Sequence, residues 1–200
     1  MLALDPSYHL GYAVLEYDSN KLVEYGTEHL PDGDYGEMPW DAVDKADHMA
    51  LTVLNLVKKW QPYAVCIEQT NKGRNRWSQK GLEFLHYAML KALRPTGLPI
   101  YYIDTSAWRK TLDMSLSKIQ KLHNAKIGKL KKEAKGDRKK FAKLKKDAGV
   151  KGKIGKKHVS LFKAVELFEI DFKMKQENEL EAALQGYAFL KGCPLSDPRK

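Results

Sequence analysis

Apolar positions along the chain follow two rhythms. Short blocks run apolar or alternate, as strands do, and longer stretches repeat every three to four residues, as helices do. Residues 2–5 and 11–17 read as two strands joined by a tight turn around Pro6 to Gly11. Lys21–Glu28 reads as a third, with Asp18, Ser19 and Asn20 supplying turn chemistry before it. Pro31, Gly33, Gly36 and Pro39 predict a loop over residues 31–39. From Asp41 to Trp60, apolar residues at 42, 43, 46, 49, 50, 53, 54 and 57 trace one helical face, and Pro62 marks its end. Residues 63–68 form the next strand. A second helix is expected from about Ser78 to Leu93, with Leu82, Leu85, Met89 and Leu93 on one stripe, stopped by Pro95, Gly97 and Pro99. Ile100–Ile103 makes a further strand ending on Asp104.

The order β-β-β-α-β-α-β predicts an α/β fold: a mixed sheet of three antiparallel strands followed by parallel ones, flanked by helices. The pattern then changes. Ser115–Asp147 is mostly lysine, with Ile119, Leu122, Ile127 and Leu130 at helical spacings and Gly128 and Gly136 as interruptions. It reads as one or two basic helices that order on nucleic acid, and Gly149–Gly155 as a flexible joint. Val159–Phe168 resumes a helical pattern, and a last helix is expected over about Asn178–Leu190. The expectation is a single domain over residues 1–200, with a basic helical insertion at about 115–155.

Charge sharpens this picture. Leu116–Lys157 holds 17 Lys or Arg against three acids, a net +14, while the remaining 158 residues sum to −4. A mildly acidic body with one strongly basic arm is a footprint for a polyanion; the bland alternative is a solvated lysine-rich loop. No apolar run approaches the roughly 20 residues that cross a bilayer. The start lacks a basic region followed by a long apolar stretch, so no secretory leader is expected. Cys66 and Cys193 show no CxxC spacing, and Cys66 in its apolar strand reads as a core filler. A cytoplasmic, reducing location is expected.

Two strands end on acids. Leu2 to Leu4 run into Asp5, and Tyr63 to Ile67 into Glu68. Carboxylates placed so, far apart in sequence, suit a divalent cation with oxygen ligands. Asp5 alone reads equally as a turn cap; Glu68, leaving an apolar strand, is costly without a cation or base. The last helix offers Glu177, Glu179 and Glu181. Glu181 lies at the rim of the stripe of Leu180, Ala183, Leu184 and Tyr187, while Glu179 should face solvent. The small Ala182 and Ala183 should allow close approach to a sheet. Glu177 and Glu179 are also explained as charges favouring a helix N-terminus.

These stations carry a resemblance. Leu2-Ala-Leu-Asp-Pro-Ser7 with Gly11 to Leu15, then Ala64-Val-Cys-Ile-Glu-Gln69, then Glu177-Asn-Glu-Leu-Glu-Ala-Ala183 resemble the three acidic stations of the RuvC-type Holliday-junction resolvases, in the ribonuclease H-like superfamily. Thr105–Leu112, with Trp108, Arg109 and Lys110, resembles a segment of phage members, which suggests an infected bacterial cell as the setting. The resemblance covers about residues 1–112 and 156–191. It implies a ribonuclease H-like five-stranded mixed sheet and a structure-selective endonuclease that cuts four-way junctions and branched DNA. It implies two Mg²⁺ or Mn²⁺ ions about 3.5–4 Å apart, held by Asp5, Glu68, Asn178 and Glu181, with Glu177 as a further candidate. Lys157 matches a basic station near the site. The pattern prefers an acid at 178; Asn178 is either the native neutral ligand or an inactivating substitution, and Glu181 replaces the more usual Asp. A homodimer is implied, and helix 78–93 offers an apolar interface for it.

Lys72, Arg74, Arg76 and Trp77 follow Glu68 and are expected to meet DNA phosphates, with Trp77 reading equally as a base-stacking or a core residue. Arg109, Lys118, Lys121 and Lys156 complete the expected DNA-binding set. His9 and His158 are candidate helpers, although a loop histidine is more often merely solvated. Two other functions compete: a ribonuclease H-like nuclease acting on flaps or RNA strands, and a non-catalytic binder of branched nucleic acid.

Overall fold

The computed structural model describes the chain apart from residues 32, 34, 38, 70–75 and 196–200; for residues 76–78 it describes the backbone alone. Five strands form one sheet in the order β3-β2-β1-β4-β5. They are β1 (Leu2–Asp5), β2 (His9–Leu15), β3 (Leu22–His29), β4 (Val65–Glu68) and β5 (Ile100–Ile103). β1–β2 and β2–β3 pair antiparallel, and β1–β4 and β4–β5 pair parallel. The expected mixed sheet is therefore present, and the chain has the ribonuclease H-like arrangement.

Strand parity divides the core into two layers, because alternate side chains point to opposite faces. Leu2, Leu4, Val65 and Ile67 point to one face, where they pack against helices α1 (Trp40–Trp60) and α2 (Arg76–Leu93). Ala3, Ala13, Leu15, Cys66 and Ile103 point to the other. There they meet α3 (Thr105–Thr111), α6 (Lys156–Phe168) and α7 (Glu177–Leu190). Cys66 is fully buried, a core filler as expected, and burial pushes its thiol up to about 12.

Helix α7 lies unusually close to the sheet. A Cβ on Gly186 would stand 2.5 Å from Leu15 Cδ1 and 2.8 Å from Ala3 Cβ. One on Gly11 would stand 2.2 Å from the Asn178 carbonyl oxygen. Two glycines and the buried Ala182 and Ala183 thus bring the N-terminal turn of α7 down onto β2.

The structure corrects several expectations. β2 begins and ends two residues earlier than its pattern suggested, because the ladder with β3 starts at the His9–His29 pair. Thr105–Thr111 is a helix that the pattern did not announce; Asp104 caps it by accepting from the amides of Ser106 (2.7 Å) and Ala107 (3.2 Å). α6 begins at Lys156, three residues earlier than expected. On α2, Leu85, Met89 and Leu93 of the expected stripe are fully buried, whereas Phe84 and Tyr87 face outward.

The lysine-rich insertion is a built helical hairpin. α4 (Lys118–Glu133) opens with a capping box between Ser117 and Gln120, and α5 (Arg138–Asp147) is capped by Asp137. Gly128 does not break α4, whereas Lys135 and Gly136, both at positive φ, make the turn between the helices. The return segment is tied to α4 rather than acting as a flexible joint. Asn124 exchanges two hydrogen bonds with the Ile154 backbone, both 2.8 Å, and Lys126 Nζ donates to the Ala148 carbonyl at 3.0 Å. Among the described residues, no helix is long and apolar enough to cross a membrane.

His86 gives the fold a pH dependence. Its ring stacks on Tyr102, its Nδ1 stands 3.3 Å from the Tyr102 hydroxyl, and its buried Nε2 has no partner among the described residues. Burial pushes its pKa down to about 4. A depressed folded pKa gives stability that is complete above the ordinary histidine value and is lost as pH falls from there through the folded value. The loss should reach about 3 kcal/mol between roughly pH 6.5 and 4. Urea midpoints measured against pH should show that slope in the parent chain and a flatter one in His86→Phe; equal slopes would remove His86 as the cause.

Candidate active site

The parity that sorts the core also aims the acids. Asp5 follows Ala3 by two and Glu68 follows Cys66 by two, so both carboxylates face the α7 side of the sheet. Leu4 pairs with Ile67 across the parallel ladder, which puts the two acidic strand ends side by side. Asp5 in turn pairs with Gly11, the residue on which the Asn178 backbone rests. Three distant stretches therefore meet: the ends of β1 and β4 and the first turns of α7.

Electrostatics report the same convergence. Burial raises the Asp5 pKa well above its ordinary value, repulsion from Glu68, Glu181 and Glu177 raises it further, and Arg109 partly opposes this. Glu68 is also raised, first by burial; hydrogen bonds from Thr105 and Trp108 oppose the shift, and Glu181 adds repulsion.

Each acid is held differently. Glu68 accepts from Thr105 Oγ1 (2.6 Å) and Trp108 Nε1 (2.9 Å), so one turn of α3 fixes both of its oxygens. Glu181 Oε1 accepts from Arg109 Nη2, in a largely buried ion pair, and from Ser160 Oγ at 3.0 Å. The Asp5 carboxylate makes no hydrogen bond or ion pair with any described residue. Glu177 pairs with Lys157 at the exposed rim. Asn178 Nδ2 donates to the His9 carbonyl at 2.7 Å, and its Oδ1 accepts from no described residue. An aspartate at 178 would set oxygen against oxygen there, so the local backbone suits an amide.

Among the described residues, no three His, Cys, Asp or Glu side chains already stand as a metal-ligand set. The side-chain contacts explain this, since Glu68 is turned toward α3 and Glu181 toward Arg109. The chemistry of the donors nevertheless fits a hard divalent cation. They are anionic or amide oxygens, and the Asp5 carboxylate is without a partner among the described residues and repelled by its neighbours.

The other candidate residues divide clearly. Arg109, assigned above to DNA, stands inside the acid cluster. Lys118, Lys121 and Lys156 are exposed. Lys72 and Arg74 lie outside the described residues, and Arg76 and Trp77 open α2 with side chains that are not described. His158 accepts the Gly155 amide as part of the α6 cap. His9 Nδ1 stands 2.9 Å from His29 Nδ1, and both line a groove of about 410 Å³ with Glu177, Asn178 and Glu179. Glu179 is thus only half-exposed instead of solvent-facing. Sequence reasoning missed Thr105, Trp108 and Ser160 as the groups that hold the acids. The available signal was Asp104 followed by Thr105 and Ser106, a helix start placed two residues after a strand.

No protein-family profile matches the sequence, and no curated protein matches it. Solved structures do match in shape. Thermus thermophilus RuvC superposes with a TM-score of 0.57 at 14% identity, covering 98% of both chains. T. thermophilus RuvC in complex with a Holliday junction substrate gives 0.52 at 15% identity, again covering 98% of each. The yeast mitochondrial Holliday junction resolvase Ydc2 gives 0.51 at 12%, over 95% of this chain and 77% of that one. The chain has a RuvC-type fold.

Proposed function

We propose that the chain is a single nuclease domain, with the basic hairpin as its insertion, and that it is a metal-dependent endonuclease cutting four-way and other branched DNA. The observation that carries this reading is the meeting of Asp5, Glu68 and Glu181 from three distant stretches at the ends of the adjacent strands β1 and β4. The solved structures of similar shape support it, since one is a RuvC in complex with a Holliday junction substrate and another is a Holliday junction resolvase.

Asp5, Glu68, Glu181 and the amide oxygen of Asn178 would hold two Mg²⁺ or Mn²⁺ ions, with Glu177 within reach of the same strand ends. Bound ions of this kind supply an activated water and stabilise the leaving 3′ oxygen. Thr105 and Trp108 fix the orientation of Glu68, and Ser160 that of Glu181. Lys157 sits at the rim, where a phosphate would meet it. The tie between Asn124 and Ile154 anchors the hairpin two residues before α6, so the lysines extend the grip along one duplex arm. Contacts of this kind position DNA without reading its bases. A two-fold dimer matches the two strands to be cut, and the outward Phe84 and Tyr87 of α2 offer an apolar face for it. Asn178 is read as the native ligand, because its amide satisfies the His9 carbonyl.

The test is a panel of labelled substrates in Mg²⁺ and in Mn²⁺: four-way junction, flap, nicked duplex, linear duplex and RNA–DNA hybrid. Paired symmetrical nicks on the junction, with little cutting of linear duplex, are expected. Preference for the hybrid or the flap would move the assignment to another ribonuclease H-like nuclease. Tight junction binding without cutting in either metal would make the chain a binding protein.

A further inference from the structure

One cation is already built into the acid cluster. The Arg109 guanidinium pairs with Glu181, and its side chain is 13% exposed. It lies over the Trp108 indole at 4.6 Å. The same indole donates to Glu68, so Arg109 and Glu68 are braced by one side chain. Lys157 engages Glu177 outside this layer. Yet Arg109 is not fully used: its Nε is buried with no hydrogen-bond partner among the described residues. A buried guanidinium donor left unpaired is costly, and an arginine presents its donors as a planar fork that matches a carboxylate or a phosphate bidentately. Here the fork is only partly satisfied.

Glu181 Oε1 is correspondingly crowded, since it receives both Arg109 and Ser160. A divalent cation approaching from Asp5 would need electron density that Arg109 now draws on. We infer that Arg109 is a resident counter-cation that competes with the metal for Glu181 and yields when a substrate phosphate takes its fork. Arg109 is thereby a positioning residue that couples metal uptake to substrate binding, which rests on the nuclease reading above. The coupling is reciprocal: if DNA raises affinity for the metal, the metal raises affinity for DNA by the same factor. An arginine suits the role because its flat, delocalised face slides along an indole. Full metal loading would then be confined to the substrate-bound protein.

Metal binding without DNA tests this separately from cleavage. Mn²⁺ affinity is measured by calorimetry and by the resonance signal of free Mn²⁺, for the parent chain and for Arg109→Gln, with thermal melts to confirm folding. Arg109→Gln should bind Mn²⁺ about tenfold more tightly, the equivalent of roughly 1.4 kcal/mol. It should also lose most of the further tightening that a four-way junction with its phosphates intact, titrated before cutting proceeds, gives the parent. If Arg109→Gln melts below the assay temperature, Arg109→Lys carries the test: a point charge without the stacked fork holds Glu181 less firmly, so Mn²⁺ must again bind more tightly than to the parent. Equal or weaker binding by the folded variant overturns the proposal and leaves the nuclease reading standing. Absence of Mn²⁺ binding by parent and variant alike overturns both.

Discussion

Asp5→Asn is expected to lower junction cleavage by about a thousandfold or more, roughly 4 kcal/mol of barrier, while the metal-free variant melts at a higher temperature than the parent. The two effects share one cause. Asp5 is buried beside other carboxylates, and its folded pKa lies well above the ordinary value. A group raised in this way loses stability for the fold as pH climbs from the unfolded pKa to the folded one. Above the unfolded pKa the parent bears this penalty, and the amide bears none. Each kcal/mol relieved should raise the melting temperature by about 2–4 °C for a chain of this size. The gap should close below about pH 4, where the unfolded carboxyl is also protonated. Added Mn²⁺ should reverse the order, stabilising the parent and not the variant. Calorimetric melts at several pH values, with and without Mn²⁺, check this together with nicking assays. A variant that melts below the parent, or still nicks, would separate Asp5 from the cluster.

The second large effect concerns the hairpin. Replacing Lys129, Lys131, Lys132, Lys139, Lys140 and Lys143 by glutamine should weaken four-way junction binding about a hundredfold or more near 0.1 M salt. All six are exposed on a structure held together by other residues, including Ile127, Asn124 and the Ser117 and Asp137 caps. Helicity should therefore survive. The slope of log affinity against log salt should flatten by about 0.9 for each DNA phosphate that the variant no longer neutralises. Anisotropy titrations at four salt concentrations measure both quantities. An unchanged slope would make the lysines a solvated face with no part in binding.

The placement of the candidate acids was legible in the sequence, for a simple reason. Asp5 and Glu68 each close a short apolar block, and the parity of such a block fixes the face its last residue must take. Glu181 was legible because its helix has a clear apolar stripe with small neighbours. The side chains around the acids were less legible. Thr105–Thr111 is seven residues long with Arg109 and Lys110 in its last turn, so it shows no stripe to mark it as a helix. Its exposed-looking Arg109 suggested a phosphate partner, whereas its neighbour Trp108 is fully buried and carries the guanidinium inward. The order of the basic hairpin depended on a tie between Asn124 and a backbone segment 30 residues away, an interaction that local composition does not encode.

A manganese-soaked crystal studied by anomalous diffraction tests the central claim most directly. Anomalous density is expected at the joint ends of β1 and β4, with the carboxylate of Asp5 among its ligands and oxygens of Glu68 or Glu181 beside it. Density confined to another surface, with Asp5 uncoordinated, would contradict it.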